Sequence, residues 1–241
     1  MKFLIAILLF LFPFFVQAQP HQHSNTEWLD ISGTIASKQS ALSASWVYNW
    51  GIGKSKKLEL GLGARITLYG GDNRNYITAP AKLARTNTTP FYIVLAGQKT
   101  WIWDTLTVQK PFSTAINLSG NAGYNITPNL YAGLNIDLIG FTIGSKSAAT
   151  LQSEGTITTE PVSKPYPFNL LLTGDNDLGT LNSEFYLRYR LNDQIAVKGI
   201  YQFLFNEYQT TTIKQTAPDG TEVTRFRNKV NAFGIGLVYF F

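Results

Sequence analysis

From Phe233 onward the chain alternates: Phe233, Ile235, Leu237, Tyr239 and Phe241 fall on one face, with Gly234, Gly236, Val238 and Phe240 on the other. A period of two marks a strand, because successive side chains point to opposite faces. The same period recurs upstream. Trp28 to Ala36 sets Leu29, Ile31, Gly33 and Ile35 against Asp30, Ser32, Thr34 and Ala36, and the next run sets Leu42, Ala44, Trp46, Tyr48 and Trp50 against Ser43, Ser45, Val47 and Asn49. Leu58, Leu60, Leu62, Ala64, Ile66 and Leu68 form the clearest case, facing Glu59, Gly61, Gly63, Arg65 and Thr67, a spacing no amphipathic helix produces. Phe112 to Tyr124, Leu130 to Leu138, Phe185 to Leu191 and Ile195 to Phe205 continue it, which with the terminal segment predicts eight strands.

The connections alternate too. Thr127-Pro128-Asn129 and Asn192-Asp193-Gln194 are tight turns. Gly70 to Pro111, Gly144 to Thr180, and a third stretch carrying Pro218-Asp219-Gly220 are long loops, while Ser37 to Ser40 is short. Such lengths argue against a compact soluble domain. They match barrels that cross the outer membrane with short periplasmic turns and long outside loops. Within the first loop, Phe91 to Ala96 and Thr100 to Val108 are expected to form a hairpin above the membrane or over the mouth; if both arms spanned, the count would be ten.

An aromatic terminal strand facing water would aggregate, whereas in hydrocarbon only helices and closed barrels satisfy every backbone polar group. The expected fold is therefore all-β: an eight-stranded antiparallel up-and-down transmembrane β-barrel with long extracellular loops. Alternation alone does not say which face is outside, and a soluble lipocalin-like barrel would reverse the two. Two features decide for the membrane. Trp46, Tyr48, Trp50, Tyr124 and Tyr239 sit where interfacial aromatics belong. The N-terminus also reads as an export signal: Lys2, an apolar run from Phe3 to Phe15, then Val16-Gln17-Ala18 at a cleavage site. That run is too short to span a bilayer, which takes roughly 20 apolar residues. Residues 1–18 are thus expected to be a signal peptide and 19–241 the outer-membrane barrel.

Composition narrows the chemistry. Charged residues are 15% and aromatic residues 14% of the chain, a balance suited to a membrane barrel. With no Cys, thiolate metal sites, disulfides and a lipid-modified N-terminus are excluded. The net charge of +5 is spread along the chain rather than gathered on one face, so no nucleic acid is expected as a partner.

With apolar faces toward lipid, the inner faces carry Asp30, Glu59, Arg65, Asp137, Glu184, Arg188, Arg190 and Lys198. Acids and bases are equal in number, and an eight-stranded barrel is only wide enough for side chains to fill. A paired charge network plugging the lumen is expected, since an unpaired buried charge is costly. By the same parity Ile139, Phe141, Ile200 and Leu204 face inward and would line an apolar pocket near the outer mouth. That supports an alternative function, a narrow channel or binding cup for a small, partly apolar molecule.

No enzyme is expected. The histidines, His21 and His23, precede the first strand, out of reach of the Ser they would have to activate in a lipid hydrolase. Asp72-Asn73-Arg74-Asn75 and Asp175-Asn176-Asp177 crowd oxygen ligands on turns but lack the spacing and terminal Glu of a calcium loop, so turn chemistry is the reading and no metal or other cofactor is expected. Arg74, Lys82, Arg85, Lys99 and Lys110 make the first long loop basic against Asp72 and Asp104, which places lipopolysaccharide phosphates among the expected partners, with membrane lipid.

Taken together, the alternating strands and the Phe233/Ile235/Leu237/Tyr239/Phe241 ending resemble small outer-membrane barrels of Gram-negative bacteria, of the OmpA membrane-domain and OmpX type. Asn135-Ile136-Asp137-Leu138-Ile139-Gly140-Phe141 and Gly174-Asp175-Asn176-Asp177-Leu178-Gly179 are similar to segments of uncharacterised barrels of this size. The resemblance implies insertion by the barrel-assembly machinery, which would read the terminal strand, and a structural or interaction role through the surface loops. No peptidoglycan-binding domain follows Phe241 in the sequence, so a cell-wall tether is not implied.

Overall fold

The computed structural model describes residues 25–89, 95–153, 155–216 and 220–241. The expected signal peptide, His21 and His23, most of the Phe91 to Ala96 arm, and Pro218 and Asp219 lie outside the described residues.

Strands β1 (Asn25–Ala36), β2 (Gln39–Ile52) and β3 (Leu58–Gly71) form a meander, followed by two short strands, β4 (Arg74–Thr78) and β5 (Thr105–Val108). A single helical turn, α1 (Ala81–Ala84), lies between those two. The long strands β6 (Phe112–Asn125) and β7 (Leu130–Gly144) come next, then short β8 (Ser147–Ser153), β9 (Thr156–Pro165) and β10 (Phe168–Leu170). The chain finishes with β11 (Leu181–Arg190), β12 (Ile195–Thr210), a small pair β13 (Gln215–Thr216) and β14 (Glu222–Val223), and β15 (Arg225–Phe240). The fold is all-β, and every strand pairing is antiparallel.

The pairings of the long strands close on themselves. Running β1, β2, β3, β6, β7, β11, β12, β15 and back to β1, each bonds to the next. A closed cycle leaves no edge to aggregate. Its faces are sorted as the alternation predicts. Ile31, Ile35, Leu62, Phe233, Ile235 and Leu237 are exposed, whereas Asp30, Ser32, Thr34, Arg65, Thr67 and Val238 are buried. Apolar outside and polar inside is the reverse of a water-soluble barrel.

One strand breaks the parity. On β7, Asp137 pairs with Ser119 but Ile139 pairs with Leu118, leaving Leu138 as an extra residue. Such a bulge exchanges inward and outward positions beyond it. Ile139 and Phe141, expected inside, are therefore 41% and 51% exposed on the outer face, while Thr142 is buried. The expected inner pocket of Ile139, Phe141, Ile200 and Leu204 is not assembled. Ile200 packs with Tyr131 and Tyr186, and Leu204 with Tyr69, Val230 and Ala232, in separate clusters.

The long loops also differ from expectation. Thr105–Val108 pairs with β4 and β8, and Thr100–Ile102 is a 3-10 turn. β4, β5, β8 and β9 join the upper ends of β12 and β15 in a second closed cycle, β12 to β9, β8, β5, β4 and β15. Its core is apolar: Tyr76, Leu106, Val108, Ala149, Leu151, Tyr208 and Phe226. Cross-strand apolar pairs are what makes short strands persist. The loops thus fold into a cap built on the barrel wall.

Candidate functional site

Polar side chains fill the interior at three levels. In the middle, five strands send one charged residue each. Lys198 Nζ lies 2.7 Å from Asp30 and 3.3 Å from Glu184, and Arg65 Nη1 lies 3.5 Å from Asp137 and 3.7 Å from Glu184. All five side chains are closed to solvent. Asn117 Nδ2 and the Asn182 amide donate to Asp137 Oδ2, while Arg65 also donates to Asn135 Oδ1. Three carboxylates share two cations, and amides add hydrogen bonds at Asp137 Oδ2 and Arg65, while Arg65 Nε and Asp137 Oδ1 keep no hydrogen-bond partner among the described residues.

Glu59, Arg188 and Arg190, expected in the same network, stand apart from it at the end of the barrel where β1 starts and β15 finishes. Glu59 accepts from Asn49 Nδ2 at 3.0 Å and Asn125 Nδ2 at 2.8 Å. Arg188 is stacked among Trp28, Tyr131 and Phe240, its guanidinium 4.4, 4.2 and 4.8 Å from the ring centroids, and Arg190 lies 4.0 Å over Phe240. Aromatic faces hold these cations in place of carboxylates. The expected aromatics surround this end on the outside: Trp46, Trp50, Tyr124 and Tyr239 are exposed, Tyr48 half-buried, and Trp46 Nε1 donates to Glu27 Oε1 at 2.8 Å. Phe233, Ile235, Leu237, Tyr239 and Phe241 all face outward between β1 and β12.

At the outer end side chains reach across the mouth. Tyr208 Oη on β12 accepts from the Phe112 amide of β6 at 3.0 Å, and Asn206 Nδ2 donates to Ser113 Oγ at 2.7 Å. Tyr76 Oη, from the cap, donates to Asn206 Oδ1 at 2.7 Å.

A second charge cluster escaped the sequence reading. Asp175 takes Arg85, Arg227 at 3.3 Å and Lys229 at 2.7 Å; Glu207 takes Arg227 at 2.7 Å and Arg225 at 3.5 Å. Glu207 and Arg227 share the outward parity of Phe205 and Lys229, yet both are buried, because residues 171–178 lie over them as a strap. The acidic turn weighed as a calcium loop therefore faces the protein's own cations. Burial raises the Asp175 carboxyl, but bonds from Lys229 and Arg85 and the charges of Lys229 and Arg227 outweigh it and hold the group below its ordinary value. Of the basic residues in the first long loop, Arg85 is committed to this cluster and Arg74 donates to the Ser37 carbonyl. The only sequence signal for the cluster was the charge density of Arg225, Arg227 and Lys229 opposite Glu207.

No family model matches the chain, and no curated protein does. Among solved structures, it is similar to the attachment invasion locus protein Ail of Yersinia pestis at 8% identity and a TM-score of 0.37, over 91% of this chain and 100% of that one. A designed transmembrane β-barrel gives 10% identity and a TM-score of 0.35, over 91% and 98%. Neisserial surface protein A gives 9% and 0.33, again over 91% and 98%. Likenesses this distant carry no argument, and the fold rests on the strand pairings themselves.

Proposed function

We propose that the chain is an integral outer-membrane protein of a Gram-negative bacterium: an eight-stranded transmembrane barrel, non-enzymatic, that acts through its outer surface. The observation that carries this reading is the closed cycle of long strands with apolar residues outside and an ionic cluster within. From Tyr239 up to Lys229, tilted at about 45°, β15 would cover about 25 Å of height, the thickness of the apolar band of such barrels. On this reading the terminal strand is the segment handed to the barrel-assembly machinery after export, and the cap faces lipopolysaccharide and other molecules outside the cell.

The interior is read as a plug. A solute would have to part the Arg65 and Lys198 ion pairs and then Tyr208 at the mouth. The inner carboxylates are engaged by cations and amides rather than free for acid–base work. Recording from the purified protein in planar bilayers tests this: no stable conductance is expected, and a steady porin-sized current would refute the plug.

A further inference from the structure

A cavity of roughly 480 Å³ opens at the periplasmic end, between the start of β1, the end of β15 and the turn that follows β11. It straddles the barrel wall. Arg190 and Phe240 reach it from the inner face, and Tyr48, Tyr239 and Phe241 from the outer face that meets lipid. Glu27 and Asp193 complete its charged lining.

Three features single it out. Among the described residues neither Arg188 nor Arg190 has a carboxylate within ion-pair distance, although the two guanidiniums share the Phe240 ring. Arg188, only 4% exposed, keeps an Nη1 without a hydrogen-bond partner. Arg190 feels the charges of Asp193 and Glu59 without contacting either, while the neighbouring Arg188 repels it, a repulsion that an anion at Arg190 would relieve. Glu27, whose Oε1 accepts from Trp46 Nε1, and Asp193, whose charge acts on Arg190 from beyond ion-pair distance, line the same cavity, so opposite charges face the space apart from each other.

We infer that this cavity binds the headgroup of a zwitterionic phospholipid of the periplasmic leaflet. The phosphate sits on Arg190, in the positive field of Arg188; the ammonium faces Asp193 and Glu27; the acyl chains lie along Tyr48, Tyr239 and Phe241. Arg binds phosphate by charge-assisted hydrogen bonds, and unlike charges set apart in one cavity match a zwitterion better than a simple anion. The inference rests on the membrane reading and adds a defined lipid site to it.

Native mass spectrometry of the mature chain in detergent tests it, with phosphatidylethanolamine and phosphatidylglycerol of identical acyl chains, and soluble phosphoethanolamine and inorganic phosphate as competitors. Folding of each sample is first confirmed by heat-modifiable mobility, so a failure of the lipid site is distinguishable from a failure of the barrel. The wild type is expected to retain phosphatidylethanolamine over phosphatidylglycerol. Arg190→Gln is expected to lower that retention about tenfold, the scale of a lost charge-assisted hydrogen bond, while Arg190→Lys keeps most of it. Asp193→Asn is expected to level the two lipids. Equal retention by folded Arg190→Gln, or tighter binding of phosphatidylglycerol, overturns the inference. So does displacement by inorganic phosphate as effective as by phosphoethanolamine, which would make the site one for free anions.

Discussion

Glu207 on β12 and Arg227 on β15 are direct cross-strand partners, and Arg227 Nη2 donates to Glu207 Oε1 at 2.7 Å with both side chains closed to solvent. Glu207 Oε2 also accepts from the Gly179 amide at 2.8 Å, so the pair fastens the strap of residues 171–178 to the wall. Removing one partner strands a buried charge, which costs about 3–5 kcal/mol, whereas removing both is far milder. Arg227→Met alone is expected to lose stability on that scale in urea unfolding from lipid vesicles, and Glu207→Gln/Arg227→Met to recover part of it. Equal losses in the single and double variants would contradict this account of the pair.

The segment 211–213 is expected to loosen in acid. Asp175 is held low as described, and Glu160, which burial raises, is held low by the amides of Ile213, Thr212 and Val162 and the Thr211 hydroxyl. A carboxyl with a depressed folded pKa contributes stability above its unfolded value, and that contribution is lost as pH falls through the folded value. Asp177 works in the opposite sense, since burial raises it more than the Leu172 amide and Arg227 lower it. Glu160 fastens residues 211–213 and acts there alone, so that attachment is lost below about pH 4, the unfolded carboxylate range, whereas in the strap Asp175 and Asp177 pull in opposite directions. Hydrogen exchange of the Thr212 and Ile213 amides, corrected for intrinsic rate, should rise relative to the barrel strands between pH 7 and pH 3; unchanged protection would count against their attachment to Glu160.

Gly133 makes room for an aromatic neighbour. A Cβ there would overlap the ring atoms of Tyr186, one strand away on β11, and of Tyr131. Gly133→Ala is expected to destabilise by about 1–3 kcal/mol through overpacking, read by the same unfolding assay. Gly199, with open space at its Cβ position, is the control, and Gly199→Ala should change little.

The outer face offers a third comparison. Ile66 is exposed on the outside of β3 beside Ala44 and Ile116. If hydrocarbon surrounds it, Ile66→Arg costs about 2–4 kcal/mol near the bilayer midplane. Refolding yield and unfolding midpoint in vesicles should both fall, whereas a water-facing position would tolerate the change within about 0.5 kcal/mol.

Much of the barrel was legible because period two is a local signal: Leu58 to Leu68 needs no partner to announce its faces. Leu138 was not legible, since a bulge exists only relative to β6, and it carried Ile139 and Phe141 to the wrong side. Equal counts of acid and base likewise say nothing about height. Arg188 and Arg190 point inward as parity predicted, but they lie among Trp28, Tyr131 and Phe240, below the Asp30, Asp137 and Glu184 they were expected to meet. The cap was hidden for another reason. β4, β5, β8 and β9 are short, and what stabilises them is the upper ends of β12 and β15, far away in sequence.

Which face meets lipid can be measured directly. The chain has no Cys, so single-cysteine variants along Leu58 to Leu68 report without background. Spin labels at these positions, in vesicles, are predicted to alternate: at 58, 60, 62, 66 and 68, high collision with lipid-dissolved oxygen and low collision with a water-soluble relaxer, and at 59, 65 and 67 little of either. Labels at 60 and 62 that meet the aqueous relaxer, or are shielded from lipid, would contradict a barrel with hydrocarbon outside and ionised groups within.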